Sequence, residues 1–416
     1  MPGNRNYWDE WGVWRGEAKV RVPVVELNQK VRAALSNVGY TPEDAAVMTD
    51  VIMAAELEGN GQGVIKLYNS GILDEALEPD SSSSSGGAGS AAAPPPPRWR
   101  ELVVERETDA SAVVNGNGRP GMVVINRAVD LALAKAKVKK FALVGTYGTH
   151  TSTGALAHYA RRIGRANMVG LIMGQNFELV AVSGGKAPVL GTNPMCFVVP
   201  RTCAPGELAT AASRTDKSDG DDPLVFDMSS SSVTYFQAMA AKASGDQLPR
   251  GTALNAAGAP TTDPTAALLG ALLPFGGHKG SGLALIIELL GGVLPGGAFP
   301  GGPQTKKEAK NVGNVVMVMD PALLSDVDAF KAKVGLTCAA LRRTGPDVML
   351  PGDAEQRMRS AALRSGAVEL SESVFEQICE LAKGREQAAA AVKRTRALFA
   401  QAAFTGDGDA PPRAKL

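Results

Sequence analysis

Three histidines, His150, His158 and His278, are the whole supply of imidazole in 416 residues. Imidazole is suited to moving a proton near neutral pH. His150 stands in Thr149-His150-Thr151-Ser152-Thr153-Gly154, between a strand-like run and a helix that Thr151 or Ser152 could cap. Loops in that position often carry reactive groups, so His150 is a candidate acid/base; the competing reading is a structural histidine. His158, inside that helix beside Tyr159, reads as structural. His278 belongs to Phe275-Gly276-Gly277-His278-Lys279-Gly280-Ser281-Gly282, ahead of an apolar helix over Leu283–Leu290. Glycines there let backbone amides approach an anion at a helix start, and Lys279 adds a positive charge. The stretch is not a P-loop, because Gly280 follows the lysine where Ser or Thr is required. A tight turn with a surface lysine remains the alternative. Gly59-Asn60-Gly61-Gln62-Gly63, and Gly184-Gly185 with Gly191-Thr192-Asn193-Pro194, mix glycine and polar residues in the same way.

Gly116-x-Gly118-x-x-Gly121 has the spacing of a dinucleotide fingerprint. A strand-like Ala112-Val113-Val114 precedes it and a helical run from Val123 to Lys139 follows. The next strand, Phe141–Val144, runs into Gly145-Thr146-Tyr147 with no acid to hold a ribose. Arg119-Pro120 also crowds the loop. Among 47 glycines a chance match is expected, and the stretch reads as a strand-to-helix turn.

The elements that must position these groups alternate strand and helix, which makes this an α/β chain. A helix from Pro23 to Val38 ends at Gly39. Thr41 caps a second helix, with Pro42 first and Asp44 third, that runs to about Glu58. Strands and helices alternate from 102 to 200. A strand, a helix, a turn-rich part and the helix after Gly280 follow. A Val315–Met319 strand, a helix from Pro321, and helices near 353–365 and 371–383 complete the pattern.

A net charge of +1 argues against nucleic acid as a partner. No apolar stretch is long enough for a membrane span: Gly282–Leu294 is short and contains Glu288. Cys196, Cys203, Cys338 and Cys379 lack CxxC spacing and read as reduced thiols. The end Ala414-Lys415-Leu416 is one small residue away from the Ser-Lys-Leu signal. The expectation is recognition by the peroxisomal import receptor and delivery to a peroxisome-type organelle, glycosomes included; otherwise the protein is cytoplasmic.

Taken together, these segments resemble the malate/L-lactate dehydrogenase-like family of NAD(P)-dependent oxidoreductases, which includes ureidoglycolate dehydrogenase and diketogulonate reductase. The motifs that carry the likeness, in order, are Gly191-Thr192-Asn193-Pro194, Phe226-Asp227-Met228-Ser229, Leu248-Pro249, Thr261-Thr262-Asp263-Pro264, Leu273 to Gly280, and Leu350-Pro351-Gly352-Asp353-Ala354-Glu355. The resemblance implies a non-Rossmann, mostly antiparallel cofactor-binding sheet with a helical domain formed from N- and C-terminal segments, in a homodimer. It divides the chain into an extension (1–20), a first helical part (21–76), a low-complexity insertion (77–99), a cofactor-binding α/β domain (100–305, with a polar insertion at 202–222), a second helical part (306–400) and a tail (401–416).

The resemblance also implies hydride transfer between NAD or NADP and a small 2-hydroxy or 2-oxo acid. The cofactor contacts it implies are Asp227, Met228, Ser229, Ser230, Ser231, His278, Lys279, Gly352, Asp353, Ala354 and Asn193. Gly61-Gln62-Gly63 stands where the family has Ser-His-Gly, so its expected proton donor is missing: Gln62 cannot exchange a proton. The family's arginine becomes Lys66. The second family histidine falls on Ser152, with His150 two residues earlier. The expected roles are therefore His150 as acid/base, Lys66 as carboxylate anchor and Gln62 as a hydrogen-bonding substrate contact. The alternative is a cofactor-binding homologue without turnover, kept for assembly or regulation.

Overall fold

The computed structural model of the protein describes residues 18–60, 62–69, 72, 101–149, 151–202, 222–306 and 308–392. His150, the 77–99 insertion, most of the 202–222 stretch and Ala414-Lys415-Leu416 lie outside them.

Strand β1 (Lys19–Pro23) leads into α1 (Val24–Asn37) and α2 (Pro42–Leu57). In α1 the buried Leu27, Val31 and Leu35 recur every four residues, one face of a helix. At the start of α2, Thr41 Oγ accepts from Asp44 N at 3.2 Å and Pro42 takes the first position. A four-residue helical turn, α3 (Lys66–Asn69), follows. Next come β2 (Val103–Glu107), β3 (Ser111–Asn115), α4 (Gly121–Lys139), β4 (Phe141–Thr149), α5 (Leu156–Arg165), β5 (Val169–Gly174), β6 (Met195–Val199), β7 (Leu224–Met228) and α6 (Tyr235–Ser244). A small three-stranded sheet is made of β8 (Ala253–Leu254), β9 (Pro260–Thr261) and β10 (Ala271–Leu272), with α7 (Pro264–Leu269) between the last two. Helix α8 (His278–Ile287) continues into a π-helical segment, Glu288–Val293. The chain closes with β11 (Val312–Met319), α9 (Val327–Arg342), α10 (Asp353–Ser365), β12 (Ala367–Ser371) and α11 (Glu372–Lys383).

The main sheet has seven strands in the order β2-β3-β4-β11-β5-β6-β7. Only β3 and β4 run parallel; every other neighbouring pair is antiparallel. Alternation along the strands gives the sheet two covered faces. Ala142, Val144, Ile172, Val316 and Val318 join the core beneath α4 and α5. Leu143, Leu171, Met173 and Val315 pack with Ile287 of α8 on the other side. Separately, β1 pairs antiparallel with β12, and α1 lies against α11.

Two local expectations change. Strand β4 runs on to Thr149, because Gly145 to Thr149 pair with the start of β11. Helix α5 starts at Leu156 after Ala155, and neither Thr151 nor Ser152 caps it. Thr151 Oγ instead accepts from Gly121 N at 2.7 Å, at the start of α4. Gly116 and Gly121 face the chain itself. A Cβ at Gly116 would lie 2.7 Å from Thr149 Cγ2, and one at Gly121 would lie 2.6 Å from Thr151 O. These glycines serve close packing of the strand ends, and no ligand is needed to explain them.

Candidate active site

Two of the chemistry-bearing loops meet at Lys66. Its backbone N–H donates to Gly63 O at 3.0 Å, which closes the turn after Gln62. Its Nζ donates to Ser152 Oγ at 2.9 Å. The same Nζ stands 3.9 Å from the centre of the Phe236 ring in α6. Lys66 is 5% exposed, and burial lowers its ammonium from 10.5 to about 7. Ser152 Oγ also accepts from Gly154 N at 3.1 Å, so the serine is fixed from two sides. Beneath the Gln62 turn, Glu56 of α2 accepts from Val64 N at 2.9 Å, and burial raises its carboxyl to about 7.

Five residues beyond Ser152 the chain reaches Asp227. Ala157 N, in the first turn of α5, donates to Asp227 Oδ2 at 2.8 Å. A carboxylate there is favoured by the helix start, yet burial dominates and lifts its pKa from 3.8 to about 6. After Asp227 and the half-buried Met228 the chain turns through four serines, Ser229 to Ser232. Ser229 and Ser230 hydroxyls donate to Thr192 O at 2.8 and 3.1 Å, and the Ser231 hydroxyl to Val233 O at 2.6 Å. Phe275 N donates to Ser230 O at 3.1 Å, and Ser232 N to Leu273 O at 2.8 Å. That pairing ties the serine turn to the loop that ends in His278 and Lys279. Both side chains are exposed at the start of α8. Gly276 and Gly277 take φ of +57° and +62°, and nothing lies within 4 Å of a Cβ added to either. The helix start is therefore open to an anion.

The Gly352–Ala354 segment approaches from a third direction. A Cβ at Gly352 would lie 3.1 Å from Val225 O, so α10 begins against the strand that carries Asp227. Asp353 binds both guanidinium nitrogens of Arg342, at 2.8 and 2.9 Å, and accepts from Leu350 N. Its carboxylate thus holds the turn, while Gly352 and Asp353 line a small polar pocket with Arg161 and Arg201.

Asn193 is 0% exposed. Its amide donates to Ala284 O at 3.0 Å and to Glu288 at 2.8 Å, which pins the Thr192 loop to α8. Asn193 is placed as a strut under the serine turn, away from open surface. The structure therefore brings together the neighbourhoods of Gln62, Lys66, Ser152, Asp227 to Ser231 and Lys279, with Gly352 behind β7. His158 follows Ala157 in α5, edge-on to Tyr159 at 5.1 Å; burial and the nearby Arg162 hold its imidazole down to about 4, so it is neutral.

Sequence reasoning missed Glu56, Phe236 and two buried ion pairs. Glu58 of α2 pairs with Arg161 of α5, 3% and 4% exposed. Lys306, fully buried, pairs with Glu288 at 2.8 Å, and Gln175 joins them. Only Glu288 carried a visible signal, as the one charge in an apolar run.

A family model described as malate/L-lactate dehydrogenase matches residues 22–379. The L-sulfolactate dehydrogenase of Methanothermobacter thermautotrophicus is 30% identical over 372 residues, 88% of this chain and 97% of that relative. Ureidoglycolate dehydrogenase (NAD(+)) of Escherichia coli O157:H7 is 27% identical over 366 residues, 85% and 93% of the two chains. The solved delta1-piperideine-2-carboxylate reductase from Pseudomonas syringae pvar. tomato superposes with a TM-score of 0.68 at 27% identity, covering 87% of this chain and 99% of that one. Both NAD(+) and NADP(+) occur in the relatives' names. With the motifs in the family's order and the fold of its solved members, the chain belongs to the malate/L-lactate dehydrogenase family and is an oxidoreductase acting on CH–OH groups.

Proposed function

We propose that the protein transfers a hydride between NAD or NADP and a small 2-hydroxy or 2-oxo acid, on a cofactor-binding sheet outside the Rossmann class. The observation that carries this reading is the buried Lys66–Ser152 contact set near Asp227 and the serine turn, with an open helix start at the far end of that turn. The polar groups fit a dinucleotide. Gly276, Gly277 and Lys279 offer an uncrowded helix N-terminus and a cation for phosphates. Asp227 to Ser231 give a hydrogen-bonding floor, and Gly352 to Ala354 border the same strand. A bound nicotinamide would supply or accept the hydride at its C4.

The chain's own task is to hold the acid and manage one proton. Lys66 presents a desolvated cation, the charge that a substrate carboxylate needs. Gln62, in the turn leading to Lys66, gives an amide for a second hydrogen bond. The proton is assigned to His150, two residues before Ser152 in the sequence. A homodimer is part of this reading. Leu285, Ile286, Leu289 and Leu290 of α8 and its π extension are all more than 40% exposed, an apolar stripe suited to a second copy.

The test is oxidation of NADH and NADPH with oxaloacetate, pyruvate and 3-sulfopyruvate, alongside fluorescence titration of the reduced cofactors. Turnover of at least one acid is expected. Cofactor binding without turnover on any 2-oxo acid would overturn the reading.

A further inference from the structure

We propose that Glu288 is a positioning residue for the cofactor: through the Asn193 amide it fixes the Thr192 carbonyl from which the Ser229–Ser230 turn hangs, a role that rests on the hydride-transfer reading above. Thr192 O accepts three hydrogen bonds from that turn, from Ser230 N at 3.0 Å and from the Ser229 and Ser230 hydroxyls at 2.8 and 3.1 Å. Wherever that carbonyl points, the serine turn follows.

The carbonyl belongs to the peptide that enters Asn193, and Asn193 is held at a φ of +27°, where a residue with a side chain is strained. Left to itself the residue would relax toward negative φ and swing the Thr192 carbonyl with it. Its side chain prevents this. Oδ1 accepts from Asn176 N at 3.2 Å, and Nδ2 donates to Ala284 O at 3.0 Å and to Glu288 Oε2 at 2.8 Å. Gly191, two residues earlier, leaves the space, because a Cβ there would lie 2.5 Å from Asn193 Oδ1.

Glu288 can hold Asn193 because it is anchored and because it only accepts. Among the described residues, three side chains aim N–H groups at its carboxylate. Lys306 Nζ and Gln175 Nε2 reach Oε1, each at 2.8 Å, and Asn193 Nδ2 reaches Oε2. All four side chains are buried. Gln175 is fixed in turn: its Nε2 also donates to Ala298 O at 2.7 Å, and its Oε1 accepts from Gly313 N at 2.9 Å. Glu288 opens the π-helical segment, and Gly292, four residues on, leaves the room that Gln175 fills, since a Cβ there would strike Gln175 Cδ. An amide in place of the carboxylate would offer one oxygen and one NH2 to three donors, so a donor would face a donor whichever way it turned. Lys306 would also lose a buried counter-charge. The ion pair behind the loop thus decides how the cofactor turn at its front is held, from a place no cofactor reaches.

Fluorescence titration of NADH and NADPH, with steady-state kinetics on the full-length protein, tests this. Glu288→Gln should weaken reduced-cofactor binding about tenfold, the size of one or two lost hydrogen bonds, while kcat at saturating cofactor and KM for the 2-oxo acid stay within about twofold. Ser229→Ala removes a hydroxyl that hangs on the same carbonyl. Because both changes act through Thr192 O, the double variant should lose less affinity than the product of the two single losses. A general loosening of the fold would move kcat and both KM values together and leave the two changes independent. Should Glu288→Gln not fold, Glu288→Met with Lys306→Met removes both charges at once and replaces it, with the same loss expected. The role is overturned if the folded variant binds reduced cofactor within about twofold of the unaltered protein, or if its loss multiplies fully with that of Ser229→Ala. Failure of the unaltered protein to bind either cofactor would instead remove the functional reading, and this role with it.

Discussion

Asp227 and Ala157, 70 positions apart, are joined by a 2.8 Å hydrogen bond from a helix's first turn to a half-buried carboxyl. That bond is the hinge pin between β7 and α5, and its acid is held above its ordinary range, at about 6. A raised carboxyl takes up protons in the folded state between 3.8 and about 6, so its charge begins to cost stability as pH rises through that window. Asp227→Asn keeps an acceptor for Ala157 N and drops the charge. Calorimetry should therefore show the variant gaining in Tm over the unaltered protein at pH 7 and losing that gain near pH 4. A gain of equal size at both values would mean the acid ionises normally.

Glu58 and Arg161 are both buried, and removing one partner strands the other. Glu58→Ala should cost about 3–5 kcal/mol in urea unfolding. Replacing both, as Glu58→Met with Arg161→Leu, should recover most of that loss. A single variant within about 1 kcal/mol of the unaltered protein would show the pair is wet in solution.

Gly63 has no room for a side chain. A Cβ there would sit 2.0 Å from Glu56 Oε2 and 2.9 Å from Glu56 Cα. Gly63→Ala should push the Gln62 turn outward and carry Lys66 off Ser152. The expected result is at least about a tenfold drop in kcat/KM, equal to about 1.4 kcal/mol of transition-state binding, with reduced-cofactor affinity unchanged. Parallel losses in cofactor binding would mean the turn supports the cofactor and not the substrate.

Lys279 is an exposed point charge at the start of α8. Lys279→Ala should weaken NADH or NADPH binding about tenfold in dilute buffer, and the difference should shrink as salt rises toward 1 M. The fluorescence titration reads both. An affinity unchanged at low salt would remove Lys279 from the phosphate site.

Local grammar made much of this fold legible. Thr41-Pro42-Glu43-Asp44 announces α2 because capping is settled within four residues, and Gly39 ends α1 for a similar reason. Neither Thr151 nor Ser152 caps α5, because they have partners at Gly121 and Lys66, 30 and 86 positions away. No window of sequence contains those partners. The site was legible to the same extent. Lys66 and Asp227 stand out through motif order, and Gly276-Gly277 through composition. The pairing of Glu58 with Arg161 and the ring over Lys66 are facts of packing, and a charged residue inside a helix looks the same in sequence whether it faces water or another helix. Asn193 illustrates the converse: a motif residue whose amide is committed to α8.

Strand β1 zips to β12 from Lys19↔Ser371 to Pro23↔Ala367, so near-terminal segments close on each other across almost the whole polypeptide. During synthesis the earliest of those residues must wait, unmated, until position 371 has left the ribosome. Such long loop closure slows folding and leaves a sticky edge exposed meanwhile. Proteolysis or chaperone capture of nascent chains should therefore concentrate at this end, long before the central sheet is complete.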